Sequence, residues 1–255
     1  MSRIKLVTVT WSYDDTYEIN DSFLIKSFLK NNDESDLIKI HFNRNNYKDL
    51  ETEFNSKFGY QYEFLLYRIY LLKEKLSEIV DDLLIFSDTG DVVCLDNIQK
   101  LDSINFDNLL FSSENHRYPN EVNIMNWSPN YRYPQENYDM LNYLNAGLSF
   151  GKRDNFITFL NECVNTIFPN EYKNFGGDQG VFTYYYINNN INTNSIRLDN
   201  TFQIFLSTYL KSYHDFKLED GKIVSLAYNT SPMFIHDNGW NYGSPKFINH
   251  FNLLQ

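Results

Sequence analysis

The chain has 255 residues, 42% hydrophobic and 17% aromatic, enough to bury a sizeable core and too apolar for a disordered polymer. A net charge of −11 argues against a nucleic-acid partner, because phosphate binding needs a positive face. The only two cysteines, Cys94 and Cys163, supply neither a disulfide framework nor a thiolate zinc site.

The opening MSRIKLVTVTW is too short an apolar run for a signal peptide and lacks a small-residue cleavage site. No stretch reaches membrane-spanning length, so a soluble chain, cytoplasmic by default, is expected. The β-branched run Ile4 to Thr10 predicts a first strand, with Thr10 and Trp11 at its carboxyl end. A short helix at about Ser22 to Lys30 and a second strand, Leu37 to Phe42, follow. Apolar residues at helical spacing (Leu65, Ile69, Leu72, Leu76, Ile79) predict a long amphipathic helix over Tyr60 to Ile79. Leu83 to Phe86 is apolar without alternation, as a central strand buried on both faces requires. This β-α-β-α-β order predicts an α/β fold with a Rossmann-like sheet.

Beyond it, Asn108 to Ser112, Tyr143 to Phe150, Ile196 to Leu198 and Gln203 to Tyr209 read as strands, and Asp154 to Phe168 and Gln179 to Ile187 as helices. Phe216 to Leu226 holds the Glu-Asp-Gly turn of a hairpin, and Pro232 to His236 is a last short strand. No repeat or linker divides the chain, which reads as one domain over 1–255.

Ligands of open α/β sheets gather at the carboxyl ends of the strands. Asp88 and Asp91, in FSDTGD just past the central strand, place two carboxylates where one divalent cation could meet both. The same pair would also suit helix capping. His236 ends an apolar run and could complete a metal shell, or mark an incidental surface turn. Asp178-Gln179 opens a helical stretch, so Asp178 is either an N-cap or a carboxylate beside a sugar. Asn145-Ala146-Gly147 is either a polar side chain at a close backbone approach or a kink in a strand. No phosphate-binding loop, H-E-x-x-H, G-x-S-x-G or G-x-G-x-x-G motif occurs.

Taken in order, LLIFSDTGDVV, LLFSSENHRYP, YLNAGLSFG, GGDQGVFTYYY, IRLDNTFQIF and SPMFIHDNG resemble the glycosyltransferase domain of collagen lysyl hydroxylases over roughly residues 3 to 240. The resemblance implies a GT-A fold with a Rossmann-like mixed sheet flanked by helices. It implies a nucleotide-binding half of about 1–115 and an acceptor-side half of about 116–255. It further implies transfer of glucose from UDP-glucose to galactosyl-hydroxylysine of a collagen-like acceptor, with retention and with Mn²⁺, Mg²⁺ being an alternative. Asp88, Asp91 and His236 match the family's metal ligands, and Asn238 and Gly239 its diphosphate contacts. Asp178 and Asn145 take the catalytic positions, while Glu114, Tyr118 and Gln179 fall on the acceptor and sugar side. Two departures stand out. The family's uracil-stacking aromatic is Gly90 here, leaving Trp11 as a replacement ring, and its Lys after the His-x-Asn-Gly turn has only the displaced Lys246 as counterpart. An inverting galactosyltransferase acting on hydroxylysine and a non-catalytic UDP-sugar-binding protein are the alternatives.

Overall fold

The computed structural model describes residues 3–12, 22–43, 52, 56, 64–104, 107–114, 143–167, 177–193, 195–209, 211–238 and 246–254. Strand β1 (Ile4–Ser12) pairs in parallel with β2 (Leu37–Asn43) on one side and with β3 (Leu83–Ser87) on the other. Three further strands complete the sheet: β5 (Leu109–Glu114), β6 (Tyr143–Lys152) and β7 (Ile196–Asp199). The order is β2-β1-β3-β6-β5-β7, with β6 antiparallel to both neighbours.

Alternate residues of β1 feed opposite cores, as the twofold strand period demands. Val7 and Val9 join Leu66, Ile69, Phe156, Phe159 and Phe182, which lie on α2 (Phe64–Leu76), α3 (Arg153–Glu162) and α4 (Asp178–Thr193). Ile4 and Leu6 pack instead with Leu24, Ile25 and Phe28 of α1 (Phe23–Asn31). Ser22 starts α1 by accepting a hydrogen bond from the Ile25 amide at 3.2 Å, a cap that satisfies one orphan donor of the first turn. The first three predicted strands and the first helix therefore stand within a residue or two of their expected bounds, whereas the helix expected over Tyr60 to Ile79 is described from Phe64 and ends at Leu76. No helix among the described residues is long and apolar enough to cross a membrane.

Three details depart from the sequence reading. The helix expected to reach Phe168 gives way after Glu162 to a π-helical turn, Cys163–Ile167. The wider turn keeps Cys163 and Val164 both in the core. The strand expected over Gln203 to Tyr209 shrinks to β8 (Phe205–Ser207), because the Asp199 carboxylate accepts from the Gln203, Ile204 and Phe205 amides at 2.7–2.9 Å. Lastly, β4 (Val92–Cys94) is too short for periodicity to show, yet it forms a second sheet. In it β11 (Phe234–His236) lies between β4, antiparallel, and β8, parallel. The hairpin β9 (Phe216–Glu219) and β10 (Lys222–Ser225) turns through Asp220 and Gly221, both at positive φ, as a tight primed turn requires.

Candidate active site

The small second sheet is what assembles the site. Its register sets His236 opposite Val92, one residue past Asp91, and the Asp237 amide donates to the Asp91 carbonyl at 2.8 Å. Two segments 145 positions apart in the chain thus meet at the end of β3. His236 Nε2 lies 3.3 Å from Asp91 Oδ1 and 3.9 Å from Asp88 Oδ2. One ligand atom from each of the three residues falls within 4.8 Å of the others. Burial alone would lower the His236 pKa, but Asp91, Asp88 and Glu114 outweigh it and raise it. Two carboxylates and an imidazole converging in this way are an oxygen-rich donor set with one borderline nitrogen, which fits Mn²⁺ or Mg²⁺.

The FSDTGD turn is pinned from below. Thr89 Oγ1 lies 2.7 Å from Thr8 Oγ1 and donates to the Val9 carbonyl at 3.3 Å, which holds the turn against the carboxyl end of β1. The Asp88 amide donates to the Gly147 carbonyl at 2.9 Å. Gly147 itself belongs to a break in β6. Phe111 of β5 faces Ser149, yet the next residue, Ser112, faces Asn145. The three skipped residues swing the backbone toward His236, and both readings of Asn-Ala-Gly, kink and close approach, hold at once. A Cβ on Gly147 would lie 2.2 Å from His236 Cε1 and 2.9 Å from Asp88 Oδ2.

Beside the three ligand candidates stands a cation that the sequence did not announce. Arg68, on α2, donates from Nη1 to Asp88 Oδ1 at 2.6 Å and from Nε to Asp178 Oδ2 at 2.9 Å, with Nη2 also on Asp178 Oδ2. Burial opposes the charge on Arg68, but the two carboxylates outweigh it and raise its pKa. Burial likewise works against ionisation of Asp88, yet Arg68 and then His236 hold its pKa below normal. For Asp178, burial wins and the pKa rises despite Arg68. A cavity of ≈ 30 Å³ bounded by Val7, Leu72, Phe86, Phe111 and Phe182 lies against Arg68 and Asp178, so the pair has an apolar wall behind it.

A second cluster surrounds Glu114, which is buried. Its Oε2 accepts from Asn145 Nδ2 and Asn238 Nδ2, each at 3.0 Å, and its Oε1 from Gln179 Nε2 at 2.7 Å. Burial raises the Glu114 pKa against the lowering effect of these amides and of His236. Asn145 Oδ1 and His236 Nδ1 are 2.9 Å apart, which joins the Glu114 cluster to the metal-ligand cluster. Asn238 Oδ1 accepts from Ser207 Oγ and the Tyr209 amide. Asp178, Asn145, Glu114, Gln179, Asn238, Asp88, Asp91 and His236 are therefore all brought together. Thr10 stands apart: its hydroxyl lies 3.1 Å from His41 Nδ1. Trp11 lies in β1 and Lys246 opens the short helix α5 (Lys246–His250), but their side chains, like Tyr118 and Gly239 altogether, fall outside the described residues. Asp237, which the sequence reading passed over, ties this region down by accepting from Thr208 Oγ1 at 2.7 Å and from the Phe247 and Ile248 amides.

The fold aligns with the crystal structure of mouse xyloside xylosyltransferase 1 in its apo form. The alignment covers 94% of this chain and 99% of that one, at a TM-score of 0.53 and 12% identity. A glycosyltransferase involved in the glycosylation of the major capsid of PBCV-1 aligns at a TM-score of 0.47 and 8% identity, over 98% of this chain and 99% of that one. No curated protein matches the chain by sequence. The fold is that of a GT-A glycosyltransferase, a central mixed sheet flanked by helices. Residues 65–251 match the family described as the PLOD GT domain, and the chain belongs to that glycosyltransferase family.

Proposed function

We propose that the chain moves a hexose from a UDP-sugar to an acceptor hydroxyl, with Mn²⁺, or Mg²⁺ in its place, held by Asp88, Asp91 and His236. The observation that carries this reading is the convergence of those three ligand atoms within 4.8 Å at the carboxyl end of the central strand. A divalent cation bound there neutralises charge developing on the diphosphate leaving group. Glucose from UDP-glucose is the donor proposed, and galactosyl-hydroxylysine of a collagen-like protein the acceptor; family membership supports both.

The proposed reaction retains anomeric configuration. An inverting displacement would need a free carboxylate to take the acceptor proton. Asp178 is the nearest candidate, yet its Oδ2 is held by Arg68 and its Oδ1 accepts from the Gln179 amide at 2.9 Å. Tied in this way, Asp178 suits the orientation of sugar hydroxyls through its remaining lone pairs better than proton abstraction. The uracil ring is assigned to Trp11, because Gly90 offers no side chain and Thr89 reaches Thr8 and Val9, shortly before Trp11 on β1.

UDP release from a panel of UDP-sugars, with Mn²⁺ and with chelator, tests the activity, and anomer analysis of the product tests retention. Asp91→Ala and His236→Ala should each abolish metal-dependent turnover in a folded protein. Wild-type activity in both variants would end the metal assignment. Trp11→Ala should weaken UDP binding by calorimetry. Base stacking on an aromatic ring contributes about 1–3 kcal/mol, which corresponds to roughly 5- to 150-fold in affinity. Unchanged affinity in folded Trp11→Ala places the uracil platform elsewhere.

A further inference from the structure

Glu114 is an acceptor without a donor, and three primary amides surround it. A carboxylate can satisfy an amide only through the amide's NH₂ end. The contacts of Glu114 with Asn145, Gln179 and Asn238 therefore fix which way each of the three amides points. With its nitrogen toward Glu114, Asn145 must turn its oxygen toward His236 Nδ1, 2.9 Å away, and toward the Gly147 amide, 3.0 Å away. An amide oxygen only accepts, so Nδ1 must carry the ring proton. Nε2 then faces Asp91 and Asp88, where its lone pair would meet a bound cation and where, without one, a proton can be shared with Asp91. Asn238 is fixed in the same manner, its oxygen turned to Ser207 Oγ, on the strand that flanks His236, and to the Tyr209 amide just past that strand.

We propose that Glu114 is a positioning residue that sets the tautomer and ring orientation of His236 through Asn145, rather than a residue that touches the acceptor sugar. The inference rests on His236 being a metal ligand. A ligating imidazole has its other nitrogen committed to an outer partner, and removal of such a partner costs 10- to 100-fold in metal affinity. Here the outer partner is an amide that has two possible orientations, and Glu114 removes one of them. The arrangement is one that side-chain chemistry alone enforces, since neither oxygen of Glu114 can serve as a donor while ionised.

The test uses the full chain with ¹⁵N-labelled histidine, free of metal and titrated upward in pH until the His236 ring is neutral. Long-range ¹H–¹⁵N correlation spectra report which ring nitrogen of His236 bears the proton. In the wild type a single Nδ1–H tautomer is expected. Glu114→Ala should give a mixture of tautomers and a 10- to 100-fold weaker Mn²⁺ affinity by electron paramagnetic resonance. Glu114→Gln can still place one oxygen against Asn145 and Asn238 while the Gln179 amide flips, so it should keep the Nδ1–H tautomer and most of the Mn²⁺ affinity. An Nε2–H tautomer in the wild type overturns the proposal without recourse to any variant. A Glu114→Ala protein that keeps both the wild-type tautomer and the wild-type affinity overturns it as well. Wild-type protein that shows the Nδ1–H tautomer but binds no Mn²⁺ leaves the tautomer relay standing and sinks the metal reading instead, so the two failures are distinct.

Discussion

Gly147→Ala should cost the protein both stability and turnover, although it adds one methyl group. The new Cβ would sit 2.2 Å from His236 Cε1, 2.5 Å from Nδ1 and 2.9 Å from Asp88 Oδ2, distances that no real contact tolerates. The imidazole cannot retreat freely, because Nδ1 is held by Asn145 and the ring lies on the middle strand of the second sheet. Overpacking of this kind costs about 1–3 kcal/mol. A displacement of about 1 Å at a reacting centre can cost on the order of 100-fold in rate. A melting or denaturant curve and a UDP-release assay measure the two effects separately. Gly90→Ala is the control within the same motif: nothing lies within 4 Å of its added Cβ, so stability should stay within about 0.5 kcal/mol of wild type. Gly147→Ala at wild-type activity and stability would show that His236 does not pack against this backbone.

Much of this site was legible in the sequence because its parts lie at strand ends, and strand ends announce themselves. Leu83 to Ser87 reads as a doubly buried strand, and the carboxylates that follow it stand where such sheets collect ligands. Asp178 at the start of a helix and His236 at the end of an apolar run are local signals of the same kind. Other features depend on long-range pairing and left no local trace. The register of β4 with β11 brings His236 to Asp91, yet each strand has three residues and no periodicity to read. The break in β6 arises from a mismatch with β5, a property of two strands at once. Arg68 is the clearest case. It lies between Tyr67 and Ile69, both buried, on a helix whose charged residues otherwise read as a solvated face. Only the positions of Asp88 and Asp178 in space make a buried arginine there intelligible. The acceptor-only nature of Glu114 was in the sequence, but the three amides that it orients come from three separate segments.

Arg68→Met should be among the most destabilising single changes in the chain. The arginine fork spans two carboxylates, Asp88 through Nη1 and Asp178 through Nε and Nη2, with side-chain exposures of 14% for Arg68 and 8% for Asp178. Met fills similar volume but leaves Asp178 without a counter-charge and Asp88 with His236 alone, and breaking a buried pair in this way costs about 3–5 kcal/mol. Lys at this position would keep the charge, but as a point charge it cannot bridge both partners in the planar geometry that Arg supplies. The pH dependence has a definite sign. In the wild type Arg68 holds the Asp88 pKa below normal, so this contact stabilises the fold above the unfolded carboxylate pKa and is lost as pH falls through the folded one. In the variant Asp178, whose pKa burial already raises, loses the cation that opposed the rise, so its protonation at acid pH relieves the fold. The stability gap between wild type and Arg68→Met should therefore be widest at neutral pH and narrow on acidification. Asp178→Asn added to Arg68→Met should recover part of the loss, because the neutral amide removes the unpaired buried charge, and a double-mutant cycle reads that coupling directly. Urea unfolding of the four proteins at neutral and mildly acid pH decides the matter. An Arg68→Met protein within about 0.5 kcal/mol of wild type at neutral pH, or a gap that widens with acid, would mean that the two aspartates find their counter-charge somewhere other than Arg68.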